Sequence, residues 1–292
     1  MEKIAWIGTG VMGHSMCAHL IKAGYEVNVY TRTKSKADDL VAAGAVWCDS
    51  AAEAARGSKY IFSIVGYPED VRETMFGPDG VLENAPKNSY VIDMTTSTPS
   101  LAEDISSEGK DRSIHCLDAP VSGGDTGAKN GTLAIMVGGE KADFETVLPI
   151  FKLMGENIAY MGTAGKGQHT KMCNQILIAG TMIGVVESLL YSYKAGMDLQ
   201  EVIDVIGKGA ASSWSINNLG PRIAKGNFDP GFFIKHFVKD MRIALDEARR
   251  MTLSLPGLSL VQQFYTAAMA MGYENLGTQG LYKVLEKMNG MK

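Results

Sequence analysis

A glycine-rich segment near the start of the chain limits the possible folds more than any other feature. Gly8-Thr9-Gly10-Val11-Met12-Gly13 directly follows an apolar run, residues 3–7, and opens an amphipathic stretch, residues 12–23. Glycines at this spacing allow a tight turn, a close approach to the backbone by a bound group, and close packing of a helix on a strand. The segment therefore predicts a strand, a glycine turn and a helix at the start of a parallel sheet.

The first half of the chain continues this alternation of short apolar runs and amphipathic stretches. The predicted strands are residues 3–7, 26–30, 60–65, 89–94, 114–118, 133–137 and 158–161. Such an order builds a doubly wound sheet with helices on both faces. After residue 162 strand-like runs cease. We therefore predict an α/β fold with an N-terminal Rossmann domain, residues 1–163, and an all-α C-terminal domain, residues 164–292, joined by a long helix.

The long helix is predicted over residues 168–195, which are apolar on most sides, as expected of a buried helix. Gly180 and Gly184 within it would permit a neighbour to pack closely. Further helices are predicted near residues 199–207, 238–251, 258–271 and 280–288. The second half should therefore supply a helical body rather than a second sheet.

The strand, turn and helix at the N-terminus predict dinucleotide binding, because free N–H groups at a helix start favour a pyrophosphate. The predicted contacts in the turn are Gly8, Gly10, Val11, Met12 and Gly13. A glycine-rich turn without a ligand is the structural alternative.

The cofactor type depends on the end of the second strand, where NAD-binding proteins place an acid that binds the ribose hydroxyl. Thr31, Arg32 and Thr33 stand there, and no acid does. A guanidinium can stack on adenine and pair with a 2′-phosphate. We therefore favour NADP(H) over NAD(H), with a solvated helix start as the alternative.

Composition excludes several other functions. A net charge of -4 and a pI near 5.8 argue against nucleic-acid binding. The longest apolar run, residues 176–186, is shorter than the roughly 18 residues of a membrane span. Four scattered cysteines without a CxxC motif fit a reduced, cytoplasmic protein, and no metal-binding motif is present.

Four further segments carry groups suited to chemistry. Residues 118–124 (DAPVSGG) end in a serine and two glycines whose N–H groups could cradle a carboxylate. Lys171 and Asn174 stand three apart, so they share one helix face. Trp214 lies in a Ser-Trp-Ser segment, and Lys239-Asp240 follows the aromatic pair Phe232-Phe233. Each segment alone has an ordinary structural explanation, and their joint order behind a Rossmann start is what points to catalysis.

This joint pattern resembles the β-hydroxyacid dehydrogenase family, which includes 3-hydroxyisobutyrate dehydrogenase and tartronate semialdehyde reductase. The resemblance covers essentially the whole chain. It rests on residues 7–13, 118–124 and 165–174 and on Lys239-Asp240. It implies a Rossmann domain followed by a helical domain, a small hydroxyacid or semialdehyde substrate, and a homodimer or homotetramer.

The resemblance also implies roles for individual residues. Lys171 matches the catalytic lysine, and Ser122, Gly123 and Gly124 match the loop that holds the substrate carboxylate. The remaining substrate contacts it implies are Asn174, Trp214, Phe232 and Asp240. The remaining cofactor contacts are Val65, Gly66, Thr96 and Lys239. Val65-Gly66 replaces the family's common Leu-Pro, and Gln175 replaces its second asparagine, so the roles at these positions are less firmly implied.

The implied reaction is hydride transfer between a nicotinamide and a short β-hydroxyacid or its semialdehyde, with Lys171 as general acid or base. A non-catalytic NADP-binding scaffold or redox sensor is the alternative from another class, since the fold alone does not imply catalysis. Within related enzymes, 6-phosphogluconate dehydrogenases are longer and carry histidine where Asn174 stands. Imine reductases usually lack the lysine.

Overall fold

The N-terminal apolar run forms a strand, and the glycine segment turns it into a helix. In the computed structural model, which describes residues 2–291, strand β1 spans Lys3–Ile7 and helix α1 spans Val11–Lys22. Gly8 has a φ of +98°, and a Cβ there would lie 2.2 Å from the Ile64 carbonyl oxygen. Only glycine fits this turn, because both its backbone conformation and its surroundings exclude a side chain.

Nine strands form one sheet in the described part of the chain, with the order β3-β2-β1-β4-β5-β6-β8-β7 and β9 paired with β8. Besides β1, the strands are β2 Glu26–Tyr30, β3 Val46–Trp47, β4 Tyr60–Ser63, β5 Tyr90–Asp93, β6 His115–Asp118, β7 Val121–Ser122, β8 Leu133–Gly139 and β9 Gly155–Gly162. The first six strands are parallel, whereas β8 runs antiparallel to β6 and β7. This is the doubly wound order.

The parallel strands are buried on both faces. Ile4 and Trp6 of β1 point into one hydrophobic core, and Ala5 and Ile7 point into another on the opposite face of the sheet. All four are at most 2% exposed. Continuous apolar runs are therefore required in these strands, which is why the sequence reveals them.

Helices cover the sheet and then form the second part of the chain. After α1 they are α2 Asp38–Ala42, α3 Ala51–Ala55, α4 Pro68–Phe76, α5 Val81–Asn84, α6 Pro99–Asp111, α7 Gly124–Asn130, α8 Lys141–Phe151, α9 Lys166–Lys194, α10 Leu199–Ile206, α11 Trp214–Asn218, α12 Gly220–Ala224, α13 Ile234–Arg250, α14 Pro256–Ala270 and α15 Leu281–Met288. The predicted fold class is confirmed.

By contacts the chain divides into two units, one ending at Lys171 and the next beginning at Met172. The division lies inside α9, so the first turns of this helix belong to the sheet unit. The second unit has its own core, in which Phe237 of α13 meets Tyr265 of α14 edge to face at 5.1 Å. The boundary predicted after residue 163 stays a prediction.

Helix α9 is only partly buried, so the expectation of a buried helix is wrong for one face. Ala179, Met182 and Val186 are fully buried, whereas Leu177 is 69% exposed. Length and composition would let α9 cross a membrane, but the core helix of a water-soluble domain passes the same test. A stripe of exposed residues at a spacing of three and four runs along the helix: Cys173, Leu177, Gly180, Gly184, Glu187 and Tyr191.

Candidate active site

The carboxyl ends of β1, β4, β5 and β6 meet at one edge of the sheet, since these strands are parallel neighbours. The segments that leave this edge contain Gly8, Val65, Thr95 and Asp118. Ligands of doubly wound sheets bind at this edge, beside the point where the strand order reverses. In this sheet that point lies between β1 and β4.

The three glycines of the first turn have different reasons to be glycine. A Cβ on Gly13 would lie 2.3 Å from the Gly8 carbonyl oxygen, so Gly13, like Gly8, is required by the chain itself. A Cβ on Gly10 would meet nothing within 4 Å. The space over Gly10 fits a pyrophosphate approaching the backbone, as the motif predicts. Thr9 Oγ1, buried beside it, has no hydrogen-bond partner among residues 2–291.

Arg32 follows β2 and is largely exposed, but it has a partner that the sequence did not reveal. Its Nη1 lies 2.9 Å from Asp70 Oδ1, at the start of α4. Asp70 Oδ2 in turn accepts a hydrogen bond from the Tyr67 N–H, and a Cβ on Gly66 would lie 2.8 Å from that oxygen. Asp70 is 38 residues from Arg32, so no local pattern pairs them. It holds the guanidinium in place.

A buried carboxylic acid ends β5. Asp93 Oδ1 accepts hydrogen bonds from Ser63 Oγ at 2.8 Å and from the Thr95 N–H at 3.2 Å. Burial raises the pKa of Asp93 to about 6 in spite of these donors. Thr95 Oγ1 also accepts from the Val65 N–H, so the segments after β4 and β5 are tied together.

Asp118, the last residue of β6, holds the start of α9. Its two oxygens accept the N–H groups of Gly165 and Gln168, both at 2.8 Å. Burial raises the pKa of Asp118, and these backbone donors oppose the rise. A Cβ on Gly167 would lie 2.7 Å from the Asp118 carbonyl oxygen, and one on Gly138 would lie 2.5 Å from its Oδ1. Both glycines therefore permit the close approach that lets Asp118 cap the helix.

Gln168 extends this connection to the segment after β5. Its side chain is fully buried, its Oε1 accepts the Ser97 N–H at 2.9 Å, and its Nε2 donates to the Thr95 carbonyl at 2.7 Å. Thr96, a predicted cofactor contact, lies between these two partners. Lys171, one turn further along α9, is 6% exposed. The predicted catalytic lysine is thus buried, one helical turn beyond a residue that is bonded to the carboxyl ends of β5 and β6.

The predicted carboxylate loop has an unusual backbone. Gly123, which precedes α7, and Gly124, its first residue, have φ values of +136° and +64°. Such conformations favour glycine. Ser122, Gly123 and Gly124 are all partly exposed.

In the second unit, a chain of hydrogen bonds links α9 to α13. Asn174 Nδ2 donates to Gln175 Oε1, and Gln175 Nε2 donates to Asp240 Oδ2, both at 2.6 Å. Asp240 is fully buried, and its Oδ1 lies 3.1 Å from Lys239 Nζ in ion-pair rather than hydrogen-bond geometry. Because Gln175 uses its Nε2 to reach Asp240, its Oε1 is left to accept from Asn174, so the two hydrogen bonds fix the orientation of the Gln175 amide. The sequence alone assigned no role to Gln175. The feature that could have indicated one is a polar side chain one helical turn after Lys171.

The two predicted aromatic contacts differ in their surroundings. Trp214, at the start of α11, is 60% exposed. Phe232 packs against the second core and meets Phe237 edge to face at 6.1 Å. The structure thus gives each a position within the second unit and leaves their roles as predictions. In residues 2–291, His, Cys, Asp and Glu form no cluster that could hold a metal ion.

A doubly wound sheet, a glycine turn with open space over Gly10, and a buried lysine at the ligand edge define a nicotinamide-dependent oxidoreductase. Comparison with known proteins gives the family. Residues 3–162 match the family model for the NAD-binding domain of 6-phosphogluconate dehydrogenase. Residues 165–285 match the model described as NAD-binding of NADP-dependent 3-hydroxyisobutyrate dehydrogenase. The chain belongs to the β-hydroxyacid dehydrogenase family.

Individual relatives cover the whole chain. An uncharacterized oxidoreductase of Bacillus subtilis is 55% identical over 98% of this chain and 99% of its own. The 2-hydroxy-3-oxopropionate reductase of Escherichia coli is 37% identical over 99% of both chains. A solved structure of Mycobacterium tuberculosis 3-hydroxyisobutyrate dehydrogenase with L-serine has a TM-score of 0.88 at 29% identity, covering 98% and 99% of the two chains. The chain is an NAD(P)-dependent hydroxyacid dehydrogenase with a small-molecule substrate.

Proposed function

We propose that this chain is an NADP(H)-dependent oxidoreductase that interconverts a short β-hydroxyacid and its semialdehyde, with Lys171 as general acid and base. The observation that carries the proposal is the placement of Lys171. It is a buried lysine one turn beyond Gln168, which is bonded to the segment that carries Thr96 at the carboxyl edge of the sheet.

The chemistry of an ammonium suits this reaction. The nicotinamide, when bound, donates or accepts hydride at its C4. In reduction, Lys171 stabilises the negative charge that grows on the carbonyl oxygen and donates the proton to it. In oxidation, neutral Lys171 takes the hydroxyl proton. The turn residues Gly8 to Gly13 bind the pyrophosphate, and Thr96, Val65 and Gly66 orient the cofactor.

A carboxylate on the substrate is supported by the loop after β7. Gly123 and Gly124 have positive φ values beside Ser122, and successive N–H groups of such a turn can form a concavity suited to an anion. The substrate contacts that the resemblance implies for Asn174, Trp214, Phe232 and Asp240, and the cofactor contact that it implies for Lys239, belong to the same proposal. The E. coli relative is named for a hydroxy-oxo acid, and L-serine is a β-hydroxyacid, which supports the same substrate class.

Preference for NADP(H) is supported at the end of β2. Arg32 replaces an acid there, and the matching family model for the second half is described as NADP-dependent. Asp70 pairs with one nitrogen of the guanidinium, and the other N–H donors of Arg32 are those that a 2′-phosphate would accept.

We also propose a homo-oligomer in a reducing, cytoplasmic setting. Support for the setting comes from Cys17, Cys48, Cys116 and Cys173, which are all free thiols. Support for self-association comes from the exposed apolar stripe of α9.

The proposal is tested by following NADPH oxidation by its absorbance with a panel of short semialdehyde acids. We expect the wild type to reduce at least one of them and Lys171→Ala to be inert while still binding NADPH. Equal inertness of both proteins, with NADPH bound, would favour a non-catalytic binding module.

A further inference from the structure

We propose that Gln168 is a positioning residue that fixes Lys171 relative to the cofactor-contacting segment 95–97. The inference rests on the proposed function for its catalytic meaning, but the geometry on which it stands does not. Family resemblance assigned no role to Gln168, and its side chain does not appear among the predicted contacts.

The Gln168 carboxamide pairs with the backbone on both sides of Thr96. It accepts the Ser97 N–H at 2.9 Å and donates to the Thr95 carbonyl at 2.7 Å, so one side chain satisfies the hydrogen bonding of both backbone groups. Because the Gln168 side chain has no exposed surface, its amide cannot replace these hydrogen bonds with hydrogen bonds to solvent water. Breaking this pair leaves buried polar groups unsatisfied, which is costly.

The backbone of Gln168 is also anchored by a hydrogen bond. The Gln168 N–H donates to Asp118 Oδ2, and the Gly165 N–H donates to Asp118 Oδ1, both at 2.8 Å. The first turn of α9 is therefore attached to the end of β6 by its main chain and to the end of β5 by a side chain. Two attachments in different directions prevent the turn from rotating or sliding.

Gln168 and Lys171 lie close together along the chain. They are three residues apart in one helix, so movement of Gln168 is passed directly to Lys171. Hydride transfer requires reacting atoms within a few tenths of an ångström of their best positions, and a displacement of about 1 Å can cost about 100-fold in rate. Gln168 thus couples the segment that contacts the cofactor to the group that delivers the proton.

The test compares Gln168→Leu and Gln168→Glu with a matched core variant, Val147→Ala. Leucine keeps the approximate size and removes both hydrogen bonds, whereas glutamate keeps the acceptor for Ser97 and places an oxygen against the Thr95 carbonyl. Val147 is fully buried in the same unit, on α8, outside this hydrogen-bonded connection. It reports the effect of lost stability alone.

Two readouts separate positioning from folding and from function. The first is reductive methylation of the Lys171 amine in the free protein, quantified at residue 171 by mass spectrometry. The second is kcat with the best substrate of the panel. We expect both Gln168 variants to speed methylation and lower kcat by about 10- to 100-fold, with a much smaller change in KM. Val147→Ala should change neither.

The proposal is overturned if Lys171 in both Gln168 variants is methylated no faster than in Val147→Ala, or if kcat is retained. If either Gln168 variant fails to fold, the other supplies the result. If the wild type is inert with every acid but Gln168→Leu still exposes Lys171, the proposed function fails and the positioning role stands.

Discussion

At the scale of single residues, the glycines of the turn differ in whether the fold or a bound ligand requires them. Gly10→Ala adds a methyl group into open space, so the melting temperature should stay close to that of the wild type. The same methyl should block approach of the pyrophosphate and weaken NADPH binding by about 10-fold or more, which fluorescence titration measures.

Gly13→Ala is the matched control. Its Cβ would lie 2.3 Å from the Gly8 carbonyl oxygen, so it should lower the melting temperature clearly, as overpacking does. If Gly10→Ala bound NADPH as tightly as the wild type, the pyrophosphate would not lie where the motif places it.

Arg32 gives a second prediction at this scale. Arg32→Ala should raise KM for NADPH by about 10- to 100-fold, because a guanidinium–phosphate contact is lost, and should leave KM for NADH almost unchanged. Steady-state kinetics with both cofactors measures the difference. An equal rise for the two would contradict the assignment of Arg32 to the 2′-phosphate.

Residues that act at close sequence spacing could be predicted, whereas partners that meet only in the fold could not. Gly8, Gly10 and Gly13 follow from their spacing behind an apolar run. Asp70 carries no such signal, because its pairing with Arg32 depends on where α4 begins against the end of β2.

At the scale of elements, buried carboxyls at the strand ends make stability depend on pH. Asp93 has a pKa of about 6 in the folded protein against an ordinary value of 3.8, so folding favours its protonated form. The stabilisation that Asp93 adds to the free energy of unfolding is fully present below pH 3.8 and is lost as the pH rises through 6.

Relative to Asp93→Asn, the wild type should therefore lose unfolding free energy as the pH rises from 4 to 7. The loss should be on the order of 2–3 kcal/mol, since each unit of pKa is worth about 1.4 kcal/mol. Denaturant titrations across this range measure it. A difference independent of pH would show that Asp93 titrates normally.

Strands and helices long enough to show a hydrophobic pattern could be predicted from the sequence, whereas the shortest strands could not. Lys3–Ile7 and Glu26–Tyr30 match their predicted bounds because most of their residues are buried, and burial requires a mainly apolar run. The strands Val46–Trp47 and Val121–Ser122 hold two residues each, too few for any repeat to appear. They form because neighbouring strands offer unpaired backbone groups.

At the scale of the whole molecule, the exposed stripe of α9 predicts self-association. A glycine inside a helix costs about 1 kcal/mol relative to alanine, and no atom of residues 2–291 lies near enough to Gly180 or Gly184 to require one. Beside Gly180, an open groove of about 460 Å³ is lined by Cys173, Ile176, Leu177 and Thr181. A helix of a second copy would cover this apolar surface.

Leu177→Glu should therefore reduce the mass measured by light scattering toward the 31.4 kDa of one chain. Leu260→Glu, which alters a similarly exposed leucine on α14, should leave the wild-type mass unchanged. A wild type that is already monomeric would contradict the prediction.

Helix α9 continues without a break through the point at which contacts divide the chain into two units. The structure assigns Lys171 to the unit that carries the glycine turn. The predicted catalytic lysine therefore lies in the same unit as every predicted cofactor contact except Lys239.

The most direct test is single-turnover oxidation of prebound NADPH by the best semialdehyde acid, in wild type and in Lys171→Met. We expect equal NADPH affinity in the two proteins and a rate lowered by about 1,000-fold or more in the variant. A variant that turns over at the wild-type rate would show that another group delivers the proton.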